Sequence, residues 1–324
     1  MIAILLIALA AGCASALMFA SVISGALISL LLLYFAPLPL MVAALGWGPL
    51  AATVGGILAA TGLGAVFGLP FCIAFTVMMA LPAWWLGHLA LLGRPAAHAA
   101  PGNGAAAVSP TLEWYPVGRI LLWIAGFAVL TTMATLLTFG TDAATITETL
   151  RAGLLRILGP RGTASGDELK QRIDAVVMIA PAAAANSTMT MLVLNLWLAA
   201  KITATSGRLH RPWPVLKTTE LPPMTLAALM AAIAFCFAGG LLAMLGQTVT
   251  AALLMTYAIT GLAVLHTLTL GLKSRALWLG CTYALLVVSG GWLMVTMVIL
   301  GIADAVFGLR QRYLRGRPPP LPVS

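Results

Sequence analysis

The chain has 324 residues, of which 61% are hydrophobic and only 8% charged. Its first formally charged side chain is Arg94, so 93 residues pass without one. An ordinary water-facing surface is about a quarter charged, so this composition excludes a soluble enzyme, and it excludes a soluble nucleic-acid-binding domain despite the net charge of +9. The expected fold class is all-α, a polytopic membrane helix bundle. At about 20 apolar residues per span there is material for roughly eight to ten transmembrane helices in a single integral membrane domain, residues 1–324.

Residues 2–36 are continuously apolar. One helix of that length would run about 50 Å, too long for a hydrocarbon core of about 30 Å, so two short helices are expected near 2–18 and 22–36. Pro37 and Pro39 should end the second. Ala10-Ala11-Gly12-Cys13 looks a little like a cleavage site. However, no basic residue precedes the apolar run and the run continues past Cys13, so the segment is expected to stay in the membrane. Gly46-Trp47-Gly48-Pro49 marks a turn, and Gly68 with Pro70 separates spans at 49–66 and 70–92. Residues 94–118 form a flexible loop, and a span follows at 118–139.

Residues 141–173 differ. Ile146, Leu150, Leu154, Ile157 and Leu158 recur at helical spacing, with Glu148, Arg151 and Arg156 in the other sectors. An amphipathic helix is expected there, begun at Thr141/Asp142, stopped by Gly159-Pro160 and lying along the membrane surface. Ser165 and Glu168 have capping-box spacing for the next helix, which Pro181 should kink. A basic loop, 201–223, ends in Leu221-Pro222-Pro223; spans at 224–245 and 249–270 are expected to join near Gly246-Gln247. Residues 276–308 again exceed one span, and Ser289-Gly290-Gly291 divides them before a basic, proline-rich tail, 309–324.

That division decides the orientation. It gathers twelve of the 17 basic residues on one face, against Glu113, Glu220 and Asp304, and leaves the 141–174 segment with five basic and five acidic residues on the other. The positive-inside rule then puts both termini and the loops 94–118, 201–223 and 271–275 in the cytoplasm of a bacterial inner-membrane protein, with 141–173 outside.

Chemistry-bearing groups at membrane depth are few. No HExxH, GxSxG or phosphate-binding glycine loop occurs, the four cysteines lie apart in apolar runs, and no catalytic, metal or cofactor site is expected. The ligand-binding candidates are Trp47, Asn195, Gln247 and His266: an aromatic face beside a helix break and three polar side chains in otherwise apolar spans. Asn195 serves equally as an interhelical hydrogen bonder. Pro37, Pro39, Asp304 and Arg310 are candidate structural motifs, the last two as a cap or ion pair near the membrane surface.

The order of several stretches carries a resemblance. Ala36-Pro37-Leu38-Pro39-Leu40 precedes a Gly-Trp-Gly turn; an Asn195-bearing span leads to Leu221-Pro222-Pro223; Gly261 to His266 precedes an ending that runs from Leu300 through Asp304 to Arg312. The chain resembles the YybS-like family of bacterial membrane proteins of unknown function, itself distantly similar to the substrate-binding membrane subunits of energy-coupling factor vitamin transporters. The resemblance implies a small-molecule-binding subunit of a transporter and carries over no catalytic residues. The alternative is a structural or interaction protein of the cell envelope whose basic face meets anionic lipid or a membrane protein partner.

Overall fold

The structure is a computed structural model, and it describes residues 2–95, 112–158, 166–214, 219–289 and 292–315. It is an all-α assembly. Among the described residues seven helical stretches are long and apolar enough to cross a membrane, and a bent pair, Trp292–Phe307 with Leu309–Arg315, makes an eighth when counted as one span. Many large apolar side chains are exposed on the helices, Leu27 at 87% and Trp292 at 81% among them. Such a surface is stable against lipid and not against water, and the protein is a multi-pass membrane protein. By their contacts the residues fall into two compact units, Met1–Phe127 with Thr188–Pro214, and Ala128–Ser187 with Val215–Ser324.

The first unit opens with α1 (Ile2–Ala20), a 3-10 turn (Ser21–Ser24), α2 (Leu27–Phe35) and α3 (Leu38–Trp47). The two expected short helices are present, and α2 ends at Phe35, just before Pro37, as expected; the two prolines also open α3, so the apolar span continues. Pro37 has φ −71° and ψ −20°, within the helical region, and residues 27–47 make one broken span. Proline fixes φ near the helical value and is tolerated in a first turn, which is why the chain continues. Gly48 (φ 94°) and Gly68 (φ 91°) then terminate α3 and α4 (Pro49–Phe67) at the expected turns, in a conformation that favours glycine.

After Gly68 come α5 (Leu69–Phe75), a π-helical turn (Thr76–Ala80) and α6 (Leu81–Leu91). The widened turn directly precedes Pro82, whose missing N–H and bulky ring disfavour a regular ladder there. The expected loop at 94–118 contains a short antiparallel pair, β1 (Gly93–Pro95) and β2 (Leu112–Trp114), in which Arg94 faces Glu113; residues 96–111 lie outside the described residues. Helix α1 buries Ala8, Gly12, Ser15 and Phe19, one stripe at helical spacing, and packs on α3 and α4. The α1/α4 crossing is close because it is made of glycine: a Cβ on Gly12 would fall inside contact distance of Gly55 O, and one on Gly55 would lie 2.5 Å from Ala8 O.

Helices α7 (Val117–Phe139) and α9 (Gly166–Thr205) each contribute to both units. The 40-residue α9 holds Pro181 in its interior and runs through Thr205, so the basic loop starts later than residue 201. In the second unit, α8 (Ala143–Leu158) is the expected amphipathic helix. Asp142 caps it, accepting from Thr145 N at 2.9 Å and Thr145 Oγ1 at 2.7 Å. The stripe begins against protein, with Ile146 fully buried, and Arg151 pairs with Glu148 and, at 2.8 Å, with Asp174. The expected stop at Gly159-Pro160 and the Ser165 end of the capping box lie outside the described residues.

The expected break at Gly246-Gln247 is displaced. Helix α10 (Met224–Phe235) stops at residues 236–239, where Gly239 (φ 79°) and Gly240 (φ 59°) turn the chain, and α11 (Gly240–Leu268) continues through both residues into a 3-10 turn, Thr269–Gly271. Gly246 serves packing instead: a Cβ there would stand 2.7 Å from Cys236 N. Next, α12 (Arg275–Val288) and α13 (Trp292–Phe307) flank the division expected at Ser289, and the tail supplies one more helix, α14 (Leu309–Arg315). A second glycine crossing joins α11 to α13. Cβ atoms on Gly261 and Gly301 would meet the carbonyls of Met297 and Tyr257.

Candidate functional site

In the first unit the polar groups collect around the Pro37/Pro39 break. The ladder of α2 stops before Pro37, and carbonyls beside the break accept from side chains of other helices. Ser15 Oγ donates to Ala36 O at 2.5 Å and Asn195 Nδ2 donates to Tyr34 O at 2.8 Å and to Met191 O at 2.7 Å. Ser15 and Asn195 are completely buried. The donors Asn195 offers are thus used within the protein, while its Oδ1 is buried with no hydrogen-bond partner among the described residues.

Trp47 sits at the end of α3, half-buried, packed on the cluster of Ala8, Ala43 and Ala51. Arg208 lies over its ring, guanidinium carbon 4.6 Å from the centroid, a cation–π contact. Trp47 lines a shallow, almost wholly apolar cleft of about 390 Å³. Nearby in the chain, Arg211 donates to Ala90 O at 3.1 Å and Tyr115 O at 3.0 Å, and burial pulls its guanidinium below the ordinary value. Arg94 and Glu113 pair at 2.8 Å across the strands; each favours the other's charged form, raising Arg94 and lowering Glu113.

In the second unit, Gln247 is half-buried inside α11. His266 Nε2 and Tyr283 Oη are 2.8 Å apart, and Arg275 Nη2 reaches His266 O at 3.4 Å. Of the four ligand-binding candidates, Trp47 and Asn195 stand in one unit, Gln247 and His266 in the other. The cleft beside Trp47 is not lined by Asn195.

The most developed polar site of this unit is the elbow between α13 and α14, where the two axes turn by 66°. Gly308 (φ 63°) makes the turn, and its N–H bonds Asp304 O at 2.8 Å. Asp304 then serves the helix that follows. Its Oδ1 accepts from Arg310 N and its Oδ2 from Arg310 Nε, both at 2.8 Å, with Nη2 at 2.7 Å. Both side chains are buried. Cap and ion pair are thus one arrangement: a carboxylate fills the open N–H of a helix start and a two-pronged guanidinium balances its charge.

Around the elbow lies a cleft of about 510 Å³. Glu220, just before Pro222, forms one wall and accepts from Gln311 Nε2 at 3.0 Å; Arg312 and Arg315 form another. The Asp304/Arg310 motif and the tail arginines are legible in the sequence; the cleft is not, because the contact between residues 220 and 311 joins segments 91 positions apart. The spacing of Arg312 and Arg315 after Gly308 was the available signal. Among the described residues no group of three or more His, Cys, Asp or Glu side chains stands close enough to hold a metal ion. No protein-family model, curated protein or solved structure matches the chain significantly.

Proposed function

We propose that the chain is a structural or interaction protein of the bacterial inner membrane, non-catalytic, with both termini and the basic loops in the cytoplasm. The observation that carries this reading is where the polar groups go. Ser15 and Asn195 donate to a broken backbone, and Asp304 and Arg310 fix an elbow. Exposed basic side chains remain in each unit, Arg94 and Arg208 in the first and Arg312 and Arg315 in the second. The orientation is supported by loop contacts inside each unit: Arg211 ties the 206–214 segment to Ala90 and Tyr115, and Gln311 ties the tail helix to Glu220. Purification of the full chain from native membranes tests the reading. A stoichiometric protein partner and no retained small molecule is the expected result; a retained metabolite without a protein partner overturns it.

The transporter-subunit reading is second. The unpartnered, buried Oδ1 of Asn195 favours it, as do the discontinuous helices and the apolar cleft beside Trp47. It fits a neutral or weakly polar ligand, since no cation lines that cleft. The resemblance to the YybS-like family agrees with this second reading.

A further inference from the structure

We infer that the α13–α14 elbow cleft binds the phosphate of an anionic glycerophospholipid. The inference rests on the proposed cytoplasmic placement of the tail at the membrane surface, and it names one site there. Arg312 and Arg315 are exposed, stand one turn apart on α14, line the same cleft and make no ion pair among the described residues. Residues three apart on a helix share a face, and two guanidinium forks on one face match the oxygens of a phosphodiester. Such a pair on a mobile tail would be an ordinary solvated surface. Here the helix is held by Asp304, whose bonds to the Arg310 backbone and guanidinium are buried.

The other side of the cleft selects lipid over a soluble anion. Val306 and Phe307 line it and are 55% and 57% exposed, and they continue an exposed apolar face of α13 that includes Val295 and Ile299. An acyl chain lying on α13 brings its phosphate to α14, whereas inorganic phosphate or an acidic peptide would leave the apolar side uncovered. Thr260 and Gln311 add polar lining, and Glu220, already bonded to Gln311, disfavours a second negative charge on that wall. The site therefore suits a headgroup with one phosphodiester charge.

The test uses the full chain, delipidated in detergent, with bound lipid counted by native mass spectrometry against phosphatidylglycerol, phosphatidylcholine and inorganic phosphate. The wild type should retain phosphatidylglycerol in preference to phosphatidylcholine, and Arg312→Gln/Arg315→Gln should reduce that preference about tenfold or more. Arg94→Gln/Arg119→Gln, which removes two cations from a different cleft of about 500 Å³, should leave it intact. Equal loss in both double variants would mean general surface charge and overturn the site. So would unchanged retention in Arg312→Gln/Arg315→Gln, or inorganic phosphate bound as tightly as phosphatidylglycerol. Both substituted pairs are on exposed or loop-flanking positions, and an unchanged unfolding temperature shows that the fold is kept. If lipid preference survives the Arg312/Arg315 change while a protein partner still co-purifies, this inference fails and the interaction reading stands. If preference is lost while a metabolite replaces the partner, the site stands and that reading falls.

Discussion

The two units solve one problem with opposite chemistry. Each has a pair of helices crossing at glycine, α1 with α4 in the first and α11 with α13 in the second, and each has a broken helix close by. In the first unit the break falls at Pro37, between α2 and α3, and carbonyls beside it accept from side chains. Neutral donors suffice, and Ser15 and Asn195 supply them. In the second the break is made by Gly308 and a new helix starts, so the open groups are N–H donors needing an acceptor. The acceptor is the carboxylate of Asp304, which brings a charge inside and with it the need for Arg310. In this chain the proline break is repaired by neutral donors and the glycine break by an ionic cap.

That comparison predicts unequal costs. Asp304→Ala should be the most damaging change, about 3–5 kcal/mol by thermal or chemical unfolding in detergent, because it leaves Arg310 buried without its counter-charge. Asp304→Leu/Arg310→Met should recover most of the loss, since an apolar pair of similar volume is often neutral. A single variant no worse than Asn195→Leu would break the distinction between ionic and neutral repair.

The crossings come next. Gly301→Ala and Gly12→Ala each put a methyl group against a backbone carbonyl across the interface, Tyr257 in one case and Gly55 in the other. Overpacking of this kind costs about 1–3 kcal/mol, and a backbone atom cannot swing aside as a side chain can. Both variants should lower the unfolding temperature and broaden the size-exclusion peak. Gly126→Ala, where a Cβ meets nothing within 4 Å, is the control and should be neutral or slightly stabilising.

Asn195→Leu is expected to be milder, about 1 kcal/mol, from the lost bond to Tyr34 O. Ser15→Ala should behave alike. If the transporter-subunit reading is right, Asn195→Leu also weakens retention of a small molecule beyond its effect on unfolding temperature, and the two measurements made together separate helix repair from ligand contact.

How much of this was legible in the sequence follows the range of the interaction. Gly48-Pro49, Gly68 and Asp142 act within a few residues, and their turns and cap stand where local chemistry puts them. Pro37 was ambiguous because its φ suits both the end of one helix and the start of the next; only packing of α2 and α3 into one span decides. Gly246 and Gly239 are alike as letters. One has positive φ and the other makes room for the backbone of α10, a distinction set by the partner helix. Asn195 was visible as a polar outlier, but its acceptor lies 161 residues away. The same distance effect hid the cleft walled by Glu220 and the tail arginines.

The smallest predicted effect tests the comparison outside the core. Asp142 does for α8 what Asp304 does for α14, accepting a backbone N–H at a helix start, but it is exposed and has no ion-pair partner among the described residues. If burial is what calls for the arginine, an exposed cap needs none, since water screens the charge. Bonds from the Thr145 N–H, then from its hydroxyl, hold the Asp142 carboxyl below the ordinary carboxylate range. A depressed folded value means that the ionised cap stabilises fully above the unfolded value, about 3.9, and that this stabilisation is lost as pH falls through the folded value. Carbon-detected titration of Asp142 in detergent should give a midpoint below that of an unstructured aspartate, with the Thr145 amide shift following it. Asp142→Asn should keep most of the first turn and abolish the titration. A midpoint at or above the ordinary value would mean that the N–H groups of α8 do not stabilise the charge, and the parallel between the exposed and buried caps would fail.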